Sequence, residues 1–188
     1  TRWVRAGWIL GGLVATGTGA AAATTFMAEI ETERKIDITA HRGAKRRAPE
    51  NTLSAIRAAI DEGADFAEID VQSTADGAVV LLHDADLMRV ASVGRRVHQL
   101  TLAELADIDV GTWFDPSFGD ERIPTLQQVI DLARDRIALN IELKYTWEDP
   151  DLARRVGELV RRNEFSSHYV VSSLNFRAVT ETVSYTHL

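Results

Sequence analysis

Two histidines and three carboxylates stand at the ends of hydrophobic, strand-like runs in this chain. His41 and Arg42 follow the run 36–40, Glu68 and Asp70 lie in 66–71, His83 and Asp84 follow 78–82, and Glu142 and Lys144 close the run that begins at Ile137. Strand side chains alternate faces, so Glu68 and Asp70 point the same way, as do Asn140, Glu142 and Lys144. If both strands line one parallel α/β barrel, the three carboxylates converge near its mouth, where such barrels keep their chemistry. Three negative charges so close repel strongly unless a cation sits between them. Oxygen-only ligation suits Ca²⁺, Mg²⁺ or Mn²⁺. A pair of imidazoles can accept and return a proton. Arg42 offers a planar fork for phosphate oxygens and Lys144 a point charge. The set points to metal-assisted work on a phosphate ester.

Each residue also has a plainer reading. An E-x-D alone is an ordinary polar strand end paired with lysine or arginine. A lone strand-end histidine is most often structural, and Asp84 either orients His83 or caps a loop. His98, His168 and His187 have no comparable setting and read as surface or loop residues.

The elements that must position these side chains alternate along the chain. After the strand at 36–40, Pro49-Glu50-Asn51-Thr52 opens a helix with Asn51 or Thr52 as its cap, an apolar stripe of Leu53, Ile56 and Ile60, and Gly63 as its stop. Strands follow at 66–71 and 78–82. Residues 85–120 are irregular, with a capping box at Thr101–Glu104 and an aromatic loop at 113–119. Pro124-Thr125-Leu126 opens a second helix, 137–143 forms a strand, Asp149-Pro150 caps a third helix with proline at its first position, 169–172 forms the last strand, and 176–183 begins one more helix. Alternation of this kind predicts a parallel sheet. About five βα units are expected, against eight in a closed barrel.

The chain has 188 residues, 45% apolar and 26% charged, enough for one domain with a real core. Its net charge is −7, and no basic stripe interleaved with aromatics appears, which argues against a nucleic-acid partner. Residues 1–35 carry four basic and three acidic side chains, so the carboxylate excess lies beyond them. Cysteine is absent, which excludes disulfides and thiolate metal sites. The 23 residues 6–28 carry no charge, with Arg2 and Arg5 before them and Glu29, Glu31 and Glu33 after. That length suits a transmembrane helix at 1–28 with a cytoplasmic N-terminus. A secretory signal cleaved near Ala20–Ala23 and a small-residue-rich soluble helix are the alternatives. Residues 29–35 read as a polar linker, 36–183 as the catalytic domain, and 184–188 as a tail that resembles a non-native remnant.

Taken in order, HRGAKRRAPENT (41–52), EIDVQSTADGAVVLLHDADLMR (68–89), TLAELADIDVG (101–111), IPTLQQVIDL (123–132), NIELK (140–144) and VSSLN (171–175) resemble the glycerophosphodiester phosphodiesterase family. The resemblance covers about residues 36–180. It implies a TIM-type (β/α)8 barrel that cleaves glycerophosphodiesters into glycerol 3-phosphate and an alcohol. By matching position it implies His41 and His83 as the acid/base pair and Glu68, Asp70 and Glu142 as holders of a divalent cation, Ca²⁺ or Mg²⁺. Arg42 and Lys144 would steady phosphate charge, and Glu50 either contributes to the site or serves the following helix. Some members carry a membrane domain ahead of the barrel, so 1–28 fits its last helix and the catalytic domain is expected outside the cytoplasm. With about three βα units fewer than the family's barrel, the chain reads as C-terminally truncated, with sheet edges left unpaired. A lysophospholipase D, a phospholipase C-like lipid phosphodiesterase, or an inactive membrane-tethered binding module are the rival readings. Retention of both histidines and all three carboxylates argues against the last.

Overall fold

The computed structural model describes residues 36–165 and 169–174. In chain order these form β1 (Thr39–Ala40), α1 (Leu53–Asp61), β2 (Phe66–Ser73), β3 (Val79–Leu81), β4 (Asp86–Leu87), α2 (Met88–Ala91), β5 (Val93–Arg96), α3 (Leu102–Leu105), α4 (Leu126–Ala133), β6 (Ala138–Leu143), α5 (Leu152–Arg162) and β7 (Tyr169–Ser172). The main sheet runs β1-β2-β6-β7 with every pair parallel, and α1, α4 and α5 lie in its crossovers. The sheet is an open arc of a TIM-barrel-like fold.

The alternation that predicts two faces on β2 holds. Ala67, Ile69 and Val71 are fully buried and pack with Ile56 of α1, Ile130 of α4 and Val156 of α5 in one apolar cluster. Glu68, Asp70 and Gln72 project from the opposite face. Pairing with β6 sets Glu68 beside Asn140 and Asp70 beside Glu142. A one-residue slip would turn every carboxylate into the helix layer.

The strand expected at 78–82 departs from the parallel pattern. Only Val79–Leu81 is strand, and it returns antiparallel along β2. Gly77, at φ +81°, makes the tight reversal possible. The described barrel strands are therefore four, not about five. A hairpin return cannot serve as a crossover, and it carries the chain back until the Leu82 N–H meets the Asp70 carbonyl at 3.1 Å. The irregular stretch at 85–120 contains α2, α3, the small β4-β5 hairpin and two 3₁₀ turns over its own apolar cluster, which includes Val80, Leu82, Leu87, Val97, Leu100 and Leu105.

The expected helix starts hold in part. Thr52 caps α1, its hydroxyl accepting from the Ala55 N–H, while Thr101 and Thr125 close capping boxes with Glu104 and Gln128. Asn51 does not cap α1. The third long helix begins at Leu152 with Asp151 at its cap, not at Asp149-Pro150, because the Asp149 carboxylate is drawn inward by Arg155 at 3.2 Å. The first strand shrinks from 36–40 to Thr39–Ala40. His98 stacks on Trp147 at 4.8 Å with its Nδ1 buried, a fuller setting than a bland loop residue. Among the described residues no helix is long and apolar enough to cross a membrane. The expectations for 1–28, 29–35, His168, the helix at 176–183, the tail at 184–188 and His187 lie outside the described residues.

Candidate active site

Glu68, Asp70 and Glu142 each offer a carboxylate oxygen, and the three lie within 4.8 Å of one another. At that spacing each ionised pair costs at least about 3.5 kcal/mol of repulsion at an effective dielectric near 20. Glu68 is 8% exposed and Asp70 fully buried. Burial first, then the charges of Asp70 and Glu142, push the Glu68 carboxyl above its ordinary range. Lys144 Nζ lies 3.1 Å from Glu142 Oε1 and 3.7 Å from Asp70 Oδ1, and Arg42 Nε lies 3.4 Å from Asp70 Oδ2. Two cations against three carboxylates leave the cluster negative. Asp70 Oδ1 is buried without a hydrogen bond, although unpaired buried oxygens are normally satisfied. Hard oxygen donors, a negative balance and that orphaned oxygen fit a divalent cation.

The turn after β1 brings the first histidine to this cluster. Arg42 and Gly43 both take left-handed backbone angles, φ +55° and +71°, which an arginine adopts only at a cost of about 1–2 kcal/mol. The turn aims the Arg42 N–H at Glu68 Oε2, 2.7 Å away, and the Gly43 N–H at the Glu68 carbonyl, 3.0 Å. His41 Nε2 stands 3.7 Å from Glu68 Oε2, while Lys45 Nζ donates to its Nδ1 at 2.8 Å. Partial burial of the ring, followed by the charges of Lys45 and Arg42, lowers the His41 pKa below its ordinary value.

The second histidine arrives by the antiparallel return. His83 Nδ1 lies 2.7 Å from Asp84 Oδ1, so Asp84 does orient its neighbour. Gln72, beneath the loop, donates to the carbonyls of Leu82 and Asp84 and fixes the bend. Arg89 Nε in turn donates to Asp84 Oδ2 at 2.7 Å. The same guanidinium holds Glu50 with two bonds of 2.7 and 2.9 Å, and Arg42 reaches Glu50 Oε1 at 2.9 Å. Burial alone would raise the Glu50 and Asp84 pKa values. The arginine bonds to Glu50, and those from Arg89 and His83 to Asp84, outweigh it and leave both lowered.

All nine residues singled out in the sequence gather here, His83 and Asp84 linked to the carboxylate cluster through Arg89 and Glu50. Two roles shift. Glu50 does not serve the helix that follows it, since both its oxygens are taken by arginines. The cationic ends of Arg42 and Lys144 are engaged by carboxylates in this state. Two residues were missed. Asn51, also left-handed at φ +56°, donates from Nδ2 to Asp70 Oδ2 at 2.9 Å and accepts the Asp70 N–H at 3.2 Å. Arg89 closes the HDADLMR segment; its only sequence signal was its place at the end of a matching stretch.

The glycerophosphoryl diester phosphodiesterase family model matches residues 41–182. YhdW of Bacillus subtilis (strain 168) is 41% identical over 142 residues, covering 76% of this chain and 58% of that protein. The glycerophosphodiester phosphodiesterase of Caldanaerobacter subterraneus subsp. tengcongensis is 35% identical over 144 residues, covering 73% and 58%. Two solved structures superpose well. A glycerophosphodiester phosphodiesterase from Agrobacterium tumefaciens str. C58 gives a TM-score of 0.73 at 32% identity, over 80% of this chain and 63% of that one. The Oleispira antarctica phosphodiesterase OLEI02445, in complex with the product sn-glycerol-3-phosphate, gives 0.69 at 30%, over 79% and 62%. The chain thus spans somewhat under two thirds of the length of these relatives. With the family model matched from the first site histidine onward, and the three carboxylates gathered on one sheet face, this chain belongs to the glycerophosphoryl diester phosphodiesterase family.

Proposed function

We propose that the protein hydrolyses glycerophosphodiesters to sn-glycerol 3-phosphate and an alcohol, using a divalent cation, Ca²⁺ or Mg²⁺, held by Glu68, Asp70 and Glu142. The observation that carries this reading is the carboxylate triad within 4.8 Å, two of its members buried and Asp70 Oδ1 lacking any hydrogen bond, with the His41 imidazole 3.7 Å from Glu68. Bound there, such an ion supplies positive charge that polarises a phosphoryl oxygen. Three carboxylates against Arg42 and Lys144 give a balance of −1, which a divalent cation turns to +1, complementary to a phosphodiester anion.

The protein groups divide the proton work. His83, with Nδ1 turned to Asp84, keeps Nε2 free to accept a proton from the attacking oxygen, and the Asp84 carboxylate stabilises the imidazolium that forms. His41 carries its proton on Nε2 because Nδ1 faces the Lys45 ammonium. As Nε2 passes that proton to the leaving alcohol, Nδ1 takes one from the Lys45 ammonium hydrogen-bonded to it, so the ring stays neutral. The product seen in the Oleispira antarctica relative supports glycerol 3-phosphate as the half of the substrate that the site retains. The uncharged run at 6–28 supports a membrane helix ahead of the domain, with the catalytic face outside the cytoplasm.

The test uses the full-length protein, glycerophosphocholine, and glycerol p-nitrophenyl phosphate, whose leaving group needs no proton. His83→Ala is expected to lose turnover on both. His41→Ala is expected to lose it on glycerophosphocholine and keep most of it on the nitrophenyl diester. Equal losses on both substrates for His41→Ala would overturn the division of roles, and no glycerol 3-phosphate from wild type would overturn the function.

A further inference from the structure

We infer that Arg89 is the positioning residue that holds His83 in register with the carboxylate cluster, an inference that rests on the function proposed above. The guanidinium sits between two carboxylates and is engaged on three nitrogens: Nε with Asp84 Oδ2 at 2.7 Å, Nη1 with Glu50 Oε2 at 2.9 Å, and Nη2 with Glu50 Oε1 at 2.7 Å. The indole of Trp113 lies 5.9 Å from its centre, so one face is partly shielded from water. The side chain is 42% exposed, but its donors face inward onto acceptors that are themselves committed. Asp84 Oδ1 goes to His83, and Glu50 Oε1 is shared with Arg42. A continuous chain of charge-assisted contacts therefore runs His83–Asp84–Arg89–Glu50–Arg42, and Arg42 ends on Glu68 through its backbone N–H and on Asp70 through its side chain.

The two ends of that chain belong to different packing units. Glu50 and Arg42 come from the turn beside the barrel core, whereas Arg89 lies on α2, whose Val90 packs in the separate apolar cluster of the inserted segment. The Leu82 N–H on the Asp70 carbonyl and the Gln72 amide on the Leu82 and Asp84 carbonyls already fix the backbone beside His83. What they leave open is the orientation of the ring, which the Asp84 carboxylate sets and Arg89 ties to Glu50. With its charge spent on Asp84 and Glu50, Arg89 is not a phosphate-binding arm. Bridging two carboxylates from two edges needs a planar fork, which lysine lacks.

The experiment compares wild type, Arg89→Lys, Arg89→Gln and Asp84→Asn in the full-length protein, with Arg95→Gln as a control. Arg95 lies on the same inserted segment and, among the described residues, pairs with Glu104 and the Gln99 carbonyl. Ring ¹⁵N shifts of His83 report which nitrogen bears the proton, and steady-state kinetics on glycerophosphocholine separate kcat from KM. Wild type and Arg95→Gln are expected to hold the proton on Nδ1. Both Arg89 variants are expected to show mixed tautomers, as in Asp84→Asn, with kcat down about 10–100-fold and KM within about threefold. Arg89→Lys with wild-type kcat and an unmixed Nδ1–H tautomer would overturn the inference. So would a KM raised tenfold at unchanged kcat, which would make Arg89 a substrate-binding residue. If wild type releases no glycerol 3-phosphate, the functional reading fails, while the ring-nitrogen comparison still decides whether Arg89 holds His83.

Discussion

Replacing Gly43 by alanine should damage both stability and turnover, and the size of the effect can be worked from its surroundings. A Cβ built on Gly43 lies 2.7 Å from Ala55 Cβ and 2.8 and 2.9 Å from the Ala55 carbonyl carbon and oxygen, so backbone of α1 would have to move. Its φ of +71° adds left-handed strain for any L-residue. That strain costs about 1–2 kcal/mol, partly offset by about 0.4–1 kcal/mol from a less flexible unfolded chain. Overpacking adds about 1–3 kcal/mol. Gly63 supplies the matched control. Its φ is +73°, yet a Cβ there meets nothing within 4 Å. Gly43→Ala should therefore destabilise by about 2–4 kcal/mol and Gly63→Ala by about 1 kcal/mol or less, measured by denaturant unfolding of the full-length protein. The first should also lower kcat, because the turn it distorts aims the Arg42 N–H at Glu68 and delivers His41. Equal destabilisation by the two substitutions, or full activity in Gly43→Ala, would refute the steric argument.

Adding Mg²⁺ or Ca²⁺ at a hundredfold excess over its Kd should stabilise the protein by about 2.7 kcal/mol, read as a rise in Tm that Glu142→Gln removes; an unchanged rise in that variant would move the cation elsewhere. Asn51→Ala removes the two hydrogen bonds that its amide makes to buried Asp70 and should cost about 2–4 kcal/mol together with most of the activity. Glu50 and Asp84 have lowered pKa values, so their stabilisation is present above their ordinary values of 4.5 and 3.8 and is lost as pH falls through the lowered ones. Because the raised Glu68 pKa works in the opposite direction, the readout is a difference. Stability curves of wild type and Arg89→Gln should separate above about pH 4.5 and converge in acid, and parallel curves throughout would contradict the pairing.

What the sequence disclosed and what it hid divide along physical lines. The period-2 pattern was enough to put Glu68 with Asp70 and Asn140 with Glu142, because alternation is a local property of an extended chain; bringing Glu142 beside Asp70 takes the pairing of β2 with β6. Helix starts at Thr52, Thr101 and Thr125 were legible for the same reason: a cap needs only its own next turn. Strand direction was not legible. Nothing in Val79–Leu81 distinguishes an antiparallel return from a barrel strand, and only pairing with Val71–Ser73 decides it. Long-range polar partners were equally hidden. Asn51 looked like a cap by type and position, but buried Asp70 nineteen residues away competes for its amide and wins. Arg89 reaches Glu50 across 39 residues, a separation over which no spacing rule operates.

On the proposed function, this family member is a cation-dependent diesterase whose cation sits on Glu68, Asp70 and Glu142. The most direct measurement is glycerol 3-phosphate release from glycerophosphocholine by the full-length protein, first stripped with chelator and then titrated with Mg²⁺ or Ca²⁺. Release that vanishes on stripping, returns with the cation in wild type and stays absent in Glu142→Gln is the predicted result. Release that persists in chelator, or a Glu142→Gln variant that recovers like wild type, would contradict the account.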